Sequence, residues 1–257
     1  PAQVGGAGRG RWQPGHPEGQ GKKGGGTAEK DHPPIFADAA GLLKTRPVPE
    51  TIGAMHLTIE WLPERGTPEQ LLVLLHGVGS NGASLAPWAQ ALRSEFPQAA
   101  VLAPDAPLPF DGPGGGALAR QWFSVQGVTE ANRPARVTAA VPGLRDWLHA
   151  TQQRLGVGPA ATALGGFSQG AILALATVLA EDGIVGRVLA FGGRFAALPE
   201  LAPRHTTLHF FHGGADPVMP ASHARSALET LAALNGDATL DIAEGVGHEL
   251  HPALVQR

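Results

Sequence analysis

Ala161-Thr162-Ala163-Leu164-Gly165-Gly166-Phe167-Ser168-Gln169-Gly170, continued by the apolar run Ala171 to Ala180, decides the fold class. Ala161 to Phe167 is a short strand-compatible run. The segment after Gly170 is apolar except for Thr177, too long for a strand and suited to a buried helix. Between them Gly166, Phe167, Ser168, Gln169 and Gly170 spell G-x-S-x-G, so strand, sharp turn and helix follow one another directly, the setting of a nucleophile elbow. The two outer glycines have a steric task, because a turn this tight presses strand and helix together and a side chain at either position would meet the neighbouring backbone. In a chain with 36 glycines, the competing reading is a tight turn with a solvated serine.

The same alternation extends outward. Short apolar runs at 57–62, 71–75, 100–103, 187–191, 207–211 and 239–243 join Ala161 to Phe167 as predicted strands. Several are apolar on both faces, as strands of a parallel sheet covered by helices must be. Helices are predicted at 83–95, 135–155, 169–181 and 221–234, the second bent or offset at Pro142 and Gly143. Strands alternating with helices make the domain α/β, a doubly wound, mostly parallel sheet with helices on both faces.

A serine hydroxyl is a weak nucleophile until a base takes its proton and a third group orients that base. Asp216 follows the run 207–211 within His212-Gly213-Gly214-Ala215-Asp216-Pro217, and His248 follows the run 239–243 within Gly247-His248-Glu249. Serine, acid and histidine thus come in the chain order expected of this architecture, each just beyond a strand. Asp182, Asp237 and Asp241 fall within or beside helices and strands and are weaker candidates. An Asp-Pro turn and an ordinary loop histidine are the plain alternatives. Oxyanion donors are expected from the backbone N–H of Gln169, the residue after the serine, and from the turn His76-Gly77-Val78-Gly79-Ser80 after the run 71–75.

Composition bounds the rest. Of 257 residues, 43% are apolar and 16% charged, enough for a large core. The absence of cysteine excludes disulfides, thiolate nucleophiles and Cys-type metal sites. A net charge of -3 leaves no footprint for nucleic acid. The ten-residue run Ala171 to Ala180 is about half of the roughly 20 residues that span a bilayer, so no integral membrane segment is expected. Ten of the first 26 residues are glycine, and all four lysines lie in residues 1–54. That stretch is expected to be a disordered extension ahead of a catalytic domain at 55–257, with a functional linker as the competing idea. It carries no apolar h-region and no serine, so a cytoplasmic location is expected.

Five ordered motifs, L-L-H-G-V-G at 74–79, Q-W-F-S at 121–124, G-F-S-Q-G-A at 166–171, H-G-G-A-D-P at 212–217 and G-H-E at 247–249, resemble the phospholipase/carboxylesterase family of α/β-hydrolases. This family includes acyl-protein thioesterases, lysophospholipases and small bacterial carboxylesterases. The resemblance implies the α/β-hydrolase fold, Ser168 as nucleophile, Asp216 and His248 as its partners, and the N–H groups of Val78 and Gln169 as the oxyanion hole. Arg120 to Arg133 looks closest to a bacterial esterase branch, and Ser124 stands where many members carry an acid. The family normally closes with a full helix, whereas nine residues follow His248, so a shortened end of the domain is expected.

The expected reaction is hydrolysis of a small-molecule acyl ester or thioester through an acyl-serine, with no cofactor and no metal. A base must be a neutral imidazole, so the rate is expected to fall below roughly pH 6.5, the ordinary histidine value. Trp122 and Phe123 are candidate walls for the acyl chain, with ordinary core packing expected of at least one. No insertion is long enough for a separate cap domain, which favours an open groove and short to medium acyl groups. A metal site on His205, His209 and His212 fits poorly, because the third lies at the strand end. A noncatalytic binding protein on the same fold and a serine peptidase are the other classes.

Overall fold

The computed structural model describes residue 55 and residues 58–256. The extension expected at 1–54 lies outside them. In chain order the elements are β1 (Thr58–Trp61), β2 (Gln70–Leu75), α1 (Ala86–Glu95), β3 (Ala99–Pro104), β4 (Leu108–Pro109), β5 (Arg120–Gln121), α2 (Arg133–Leu155), β6 (Thr162–Phe167), α3 (Gln169–Ala180), β7 (Arg187–Phe191), β8 (Thr207–Gly213), α4 (Ser222–Ala233), β9 (Ala238–Ala243) and α5 (Pro252–Val255). Seven strands form one sheet in the order β1-β3-β2-β6-β7-β8-β9, parallel except for β1, which runs antiparallel to β3.

Strand alternation divides the core into two layers. Leu71, Val73 and Leu75 of β2 join a cluster with α2, α3 and α4, while Leu72 and Leu74 join one with Trp88 of α1 and Leu254 of α5. Helices therefore cover both faces, and each fully buried leucine contributes on the order of 2 kcal/mol. Helix α3 is apolar almost all round because it lies between the sheet and α2.

Helix α2 is one continuous element through Pro142, and Thr138, whose carbonyl loses its partner there, and Pro142 itself are both on the exposed side, where the carbonyl can be solvated. The structure corrects the sequence-based expectations in two places. The helix expected at 83–95 begins as a 3₁₀ turn, Gly82–Leu85, capped by the Asn81 side chain accepting from Ser84 N, and becomes α-helical at Ala86, just before Pro87. The short antiparallel pair β4–β5 was not expected; with two residues in each strand it is below the length at which periodicity can be read.

The chain adds β3 on one side of β2 and then β6 to β9 on the other. The winding direction reverses between β2 and β6, where Leu75 is level with Gly166. A crevice opens at the carboxyl ends of strands at such a switch point.

Candidate active site

Ser168 occupies the corner between β6 and α3 with φ 52° and ψ −113°, a conformation that costs a non-glycine residue on the order of 1–3 kcal/mol. The corner is held by Ser168 N donating to Phe191 O (2.9 Å) and by Ile172 N donating to Ser168 O (3.1 Å). A Cβ on Gly166 would lie 2.5 Å from the backbone of Gly170 and Ala171, and one on Gly170 would lie 2.3 Å from the carbonyl oxygen of Leu75. Both contacts are with backbone, which cannot turn away, so glycine is required on either side of the serine.

His248 Nε2 is 2.9 Å from Ser168 Oγ, and His248 Nδ1 is 2.6 Å from Asp216 Oδ2. The loops after β6, β8 and β9 thus bring together three residues 32 to 80 positions apart in the chain. The imidazole stacks obliquely on Phe167, with ring centroids 4.9 Å apart. The Asp216 side chain is fully buried and that of His248 is partly exposed. Burial pushes the Asp216 carboxyl upward, but Met219 N–H, the His248 ring and Val218 N–H all favour the anion, and its net shift is below the ordinary carboxylate range. Val218 N and Met219 N donate to Oδ1 at 2.9 and 2.8 Å respectively, leaving Oδ2 for the histidine.

The glycine turn after β2 approaches the same corner, since a Cβ on Gly77 would sit 3.5 Å from Ser168 Cβ. Gln169 is the first residue of α3, where an amide has no acceptor within its own helix. Val78, on the turn, is partly exposed. Trp122 and Phe123 are both buried, packed in the core, and both line a cavity of about 510 Å³.

Three further residues hold this arrangement, and sequence reasoning assigned their side chains no such task. His76 is fully buried: its Nδ1–H donates to Gly77 O (2.7 Å), while its Nε2 accepts from Ala106 N (3.0 Å). Burial is the largest influence on its ring and holds its pKa below the ordinary histidine value. Because a peptide is planar and trans, drawing Gly77 O toward His76 aims the N–H of Val78 the opposite way. The Gln169 side chain accepts from Trp122 N and donates to Phe123 O, both at 2.8 Å, and Trp122 Nε1 donates to His76 O at 2.8 Å. His212 Nε2 donates to Met219 O (2.6 Å), bracing the loop that holds Asp216. The available signal was that His76, Gln169 and His212 are polar residues at the ends of strongly apolar segments.

His209 and the rival acids Asp182 and Asp237 have other partners. His209 Nδ1 meets Thr239 Oγ1 at 2.8 Å, on a different side of β8 from His212. Asp182 accepts from the backbone of Arg204 and His205, and Asp237 from Thr207 Oγ1.

Residues 60–257 match the model of a family described as phospholipase/carboxylesterase. The chain belongs to the phospholipase/carboxylesterase family. Esterase YpfH of Escherichia coli K12 is 47% identical over 182 residues, 71% of this chain and 77% of its own. Acyl-protein thioesterase 1 of Saccharomyces cerevisiae is 30% identical over 164 residues, covering 59% of this chain and 72% of its own. The crystal structure of esterase PE8 superposes with a TM-score of 0.70 at 33% identity, over 77% of this chain and 93% of that one. Membership establishes an α/β-hydrolase and an enzyme of the carboxylesterase type, with thioesterases among its relatives, and among the described residues no elements form a separate cap domain. Among the described residues no helix is long and apolar enough to cross a membrane.

Proposed function

We propose that the enzyme hydrolyses small-molecule carboxylic esters of short to medium acyl chains through an acyl-Ser168 intermediate. The observation that carries this reading is the continuous hydrogen-bonded line from Ser168 Oγ through both ring nitrogens of His248 to Asp216. As Oγ attacks the acyl carbon, its proton passes to His248 Nε2, and the ester C=O becomes an oxyanion facing the N–H groups of Val78 and Gln169. Collapse breaks the bond to the leaving alcohol, which takes the proton from His248. A water then attacks the acyl-serine, gives a proton to His248, and releases the carboxylic acid as that proton returns to Oγ. Asp216 stays ionised throughout and stabilises the imidazolium. Its depressed pKa supports this role.

Thioester hydrolysis is the second reading, supported by the yeast relative named as an acyl-protein thioesterase. The same steps apply, with a thiol as leaving group. A cytoplasmic place of action belongs to the proposal and is tested by cell fractionation. For the chemistry, a fluorophosphonate probe should label the protein and fail to label Ser168→Ala. Intact protein that takes up no probe and turns over no p-nitrophenyl ester would instead be a binding module. A panel of p-nitrophenyl esters of rising chain length, with an acyl thioester and a peptide alongside, assigns the substrate class.

A further inference from the structure

The cavity of about 510 Å³ is lined by apolar surface from Leu108, Trp122, Phe123 and Ala140 and by the polar residues Ser124 and Gln126, and its one charged lining residue is Arg136. The guanidinium is held by backbone oxygens: Nη1 donates to Ser124 O (3.0 Å) and Gln126 O (2.7 Å), and Nη2 to Gly127 O at 3.4 Å. Among the described residues no carboxylate pairs with it. The two other arginines nearby differ, since Arg133 and Arg194 converge on Glu130 at 3.1 and 2.6 Å. Asp111 belongs to the same neighbourhood, its backbone oxygen accepting from the Gln126 side chain, and its carboxyl is held below the ordinary range by Ser124 first and Gln121 second rather than by Arg136.

Three carbonyl dipoles fix the guanidinium without cancelling its charge, and a guanidinium has five N–H donors, so further donors remain. Much of the rotamer entropy that an arginine loses on gripping an anion is therefore lost already in the folded enzyme. An apolar stretch of wall leading to one immobilised cation among polar groups matches a ligand that is a hydrocarbon chain ending in an acid. The wall is also tied to the reacting centre: the backbone of Trp122 and Phe123 is bonded to the side chain of Gln169, the residue next to Ser168.

We infer that this cavity selects acyl chains bearing a terminal carboxylate, with Arg136 binding that carboxylate. The enzyme would then prefer half-esters of dicarboxylic acids to neutral esters of equal length. This inference rests on the ester-hydrolase reading above and names its substrate class.

The experiment compares mono-p-nitrophenyl esters of four-, five-, six- and eight-carbon dicarboxylic acids with p-nitrophenyl alkanoates of the same carbon number. At one or more lengths the acid-ended ester should show a kcat/KM at least 10-fold higher in low salt, shrinking as ionic strength rises. In Arg136→Met this acid-to-neutral ratio should fall to near one, the loss appearing in KM of the acid-ended ester. Because Arg136 also ties down residues 124–127, Ala140→Asp supplies a second test: it retains the arginine, places a carboxylate in the same cavity, and should likewise abolish the ratio. A ratio near one in the unaltered enzyme, or a ratio that survives both substitutions, overturns the inference while neutral-ester turnover leaves the hydrolase reading standing. No turnover of either ester series would instead sink the hydrolase reading itself.

Discussion

The loop after β8 and the turn after β2 flank the same serine, yet they are stabilised in opposite ways. Asp216 is oriented mainly by its own loop, through the amides of Val218 and Met219 two and three residues along. The turn at Gly77 and Val78 depends on distant groups: His76 reaches Ala106, thirty residues away, and Trp122 reaches back to His76 across forty-six. The acid side is thus a local device, whereas the proposed oxyanion side is a chain of long-range staples. Damage to the first should disturb chemistry with little loss of stability; damage to the second should cost both.

The largest effect tests what the two sides share. Ser168→Ala should lower kcat on p-nitrophenyl acetate by on the order of 10⁴- to 10⁶-fold with an unchanged circular dichroism spectrum. On the acid side, Asp216→Asn keeps an oxygen to accept from Val218 and Met219 while losing the charge behind the imidazole. It should cost about 10⁴-fold in kcat with a melting temperature close to that of the unaltered enzyme. A melting temperature far below it would show that the acid loop is not the local device described.

On the oxyanion side, His76→Ala leaves Ala106 N–H and Gly77 O buried without partners and frees the Val78 peptide to turn. A fall in kcat of roughly 100-fold with little change in KM is expected, the signature of a donor used in the transition state. Thermal unfolding should be lower as well, because unsatisfied buried groups cost about 1–3 kcal/mol each. Loss of stability without loss of kcat would break the link drawn between His76 and the oxyanion amide. Gln169→Leu removes the clamp on Trp122 and Phe123; a drop in melting temperature of roughly 5–10 °C is expected from two lost buried bonds in a domain of this size.

The smallest effect is a pH dependence confined to the acid side. The folded Asp216 carboxyl lies below its unfolded value, so its contribution to stability is fully present above about pH 4 and is lost as pH falls through the folded value. Denaturant midpoints should therefore decline below about pH 4, and part of that decline should be missing in Asp216→Asn.

The contrast between the two sides also explains how much could be read in advance. The strand, turn and helix at 161–180 announced themselves because hydrophobic period and glycine sterics act over a few residues, and those constraints reappear as the 2.3 and 2.5 Å approaches at Gly170 and Gly166. The strands near 71, 187, 207 and 239 were legible for the same reason, as runs apolar enough for a covered sheet. Ser168, Asp216 and His248 stood out because each follows such a run. The side-chain duties of His76, Gln169 and His212 were not legible, since a polar residue at the end of an apolar segment does not disclose which backbone group tens of residues away it will meet.

By itself, then, the sequence determined where the strands of the main sheet and the long helices form, which glycines the corner needs, and which three side chains end up beyond strand ends, because these follow from local sterics and from burial of apolar faces. Only the tertiary structure decided that Oγ and Nε2 come within 2.9 Å, that Val78 N–H is aimed by a buried histidine, and that Arg136 lines a partly apolar cavity with no carboxylate partner among the described residues. Those outcomes depend on the order in which the strands are laid side by side, and that order is settled by the packing of the whole sheet rather than by any one segment.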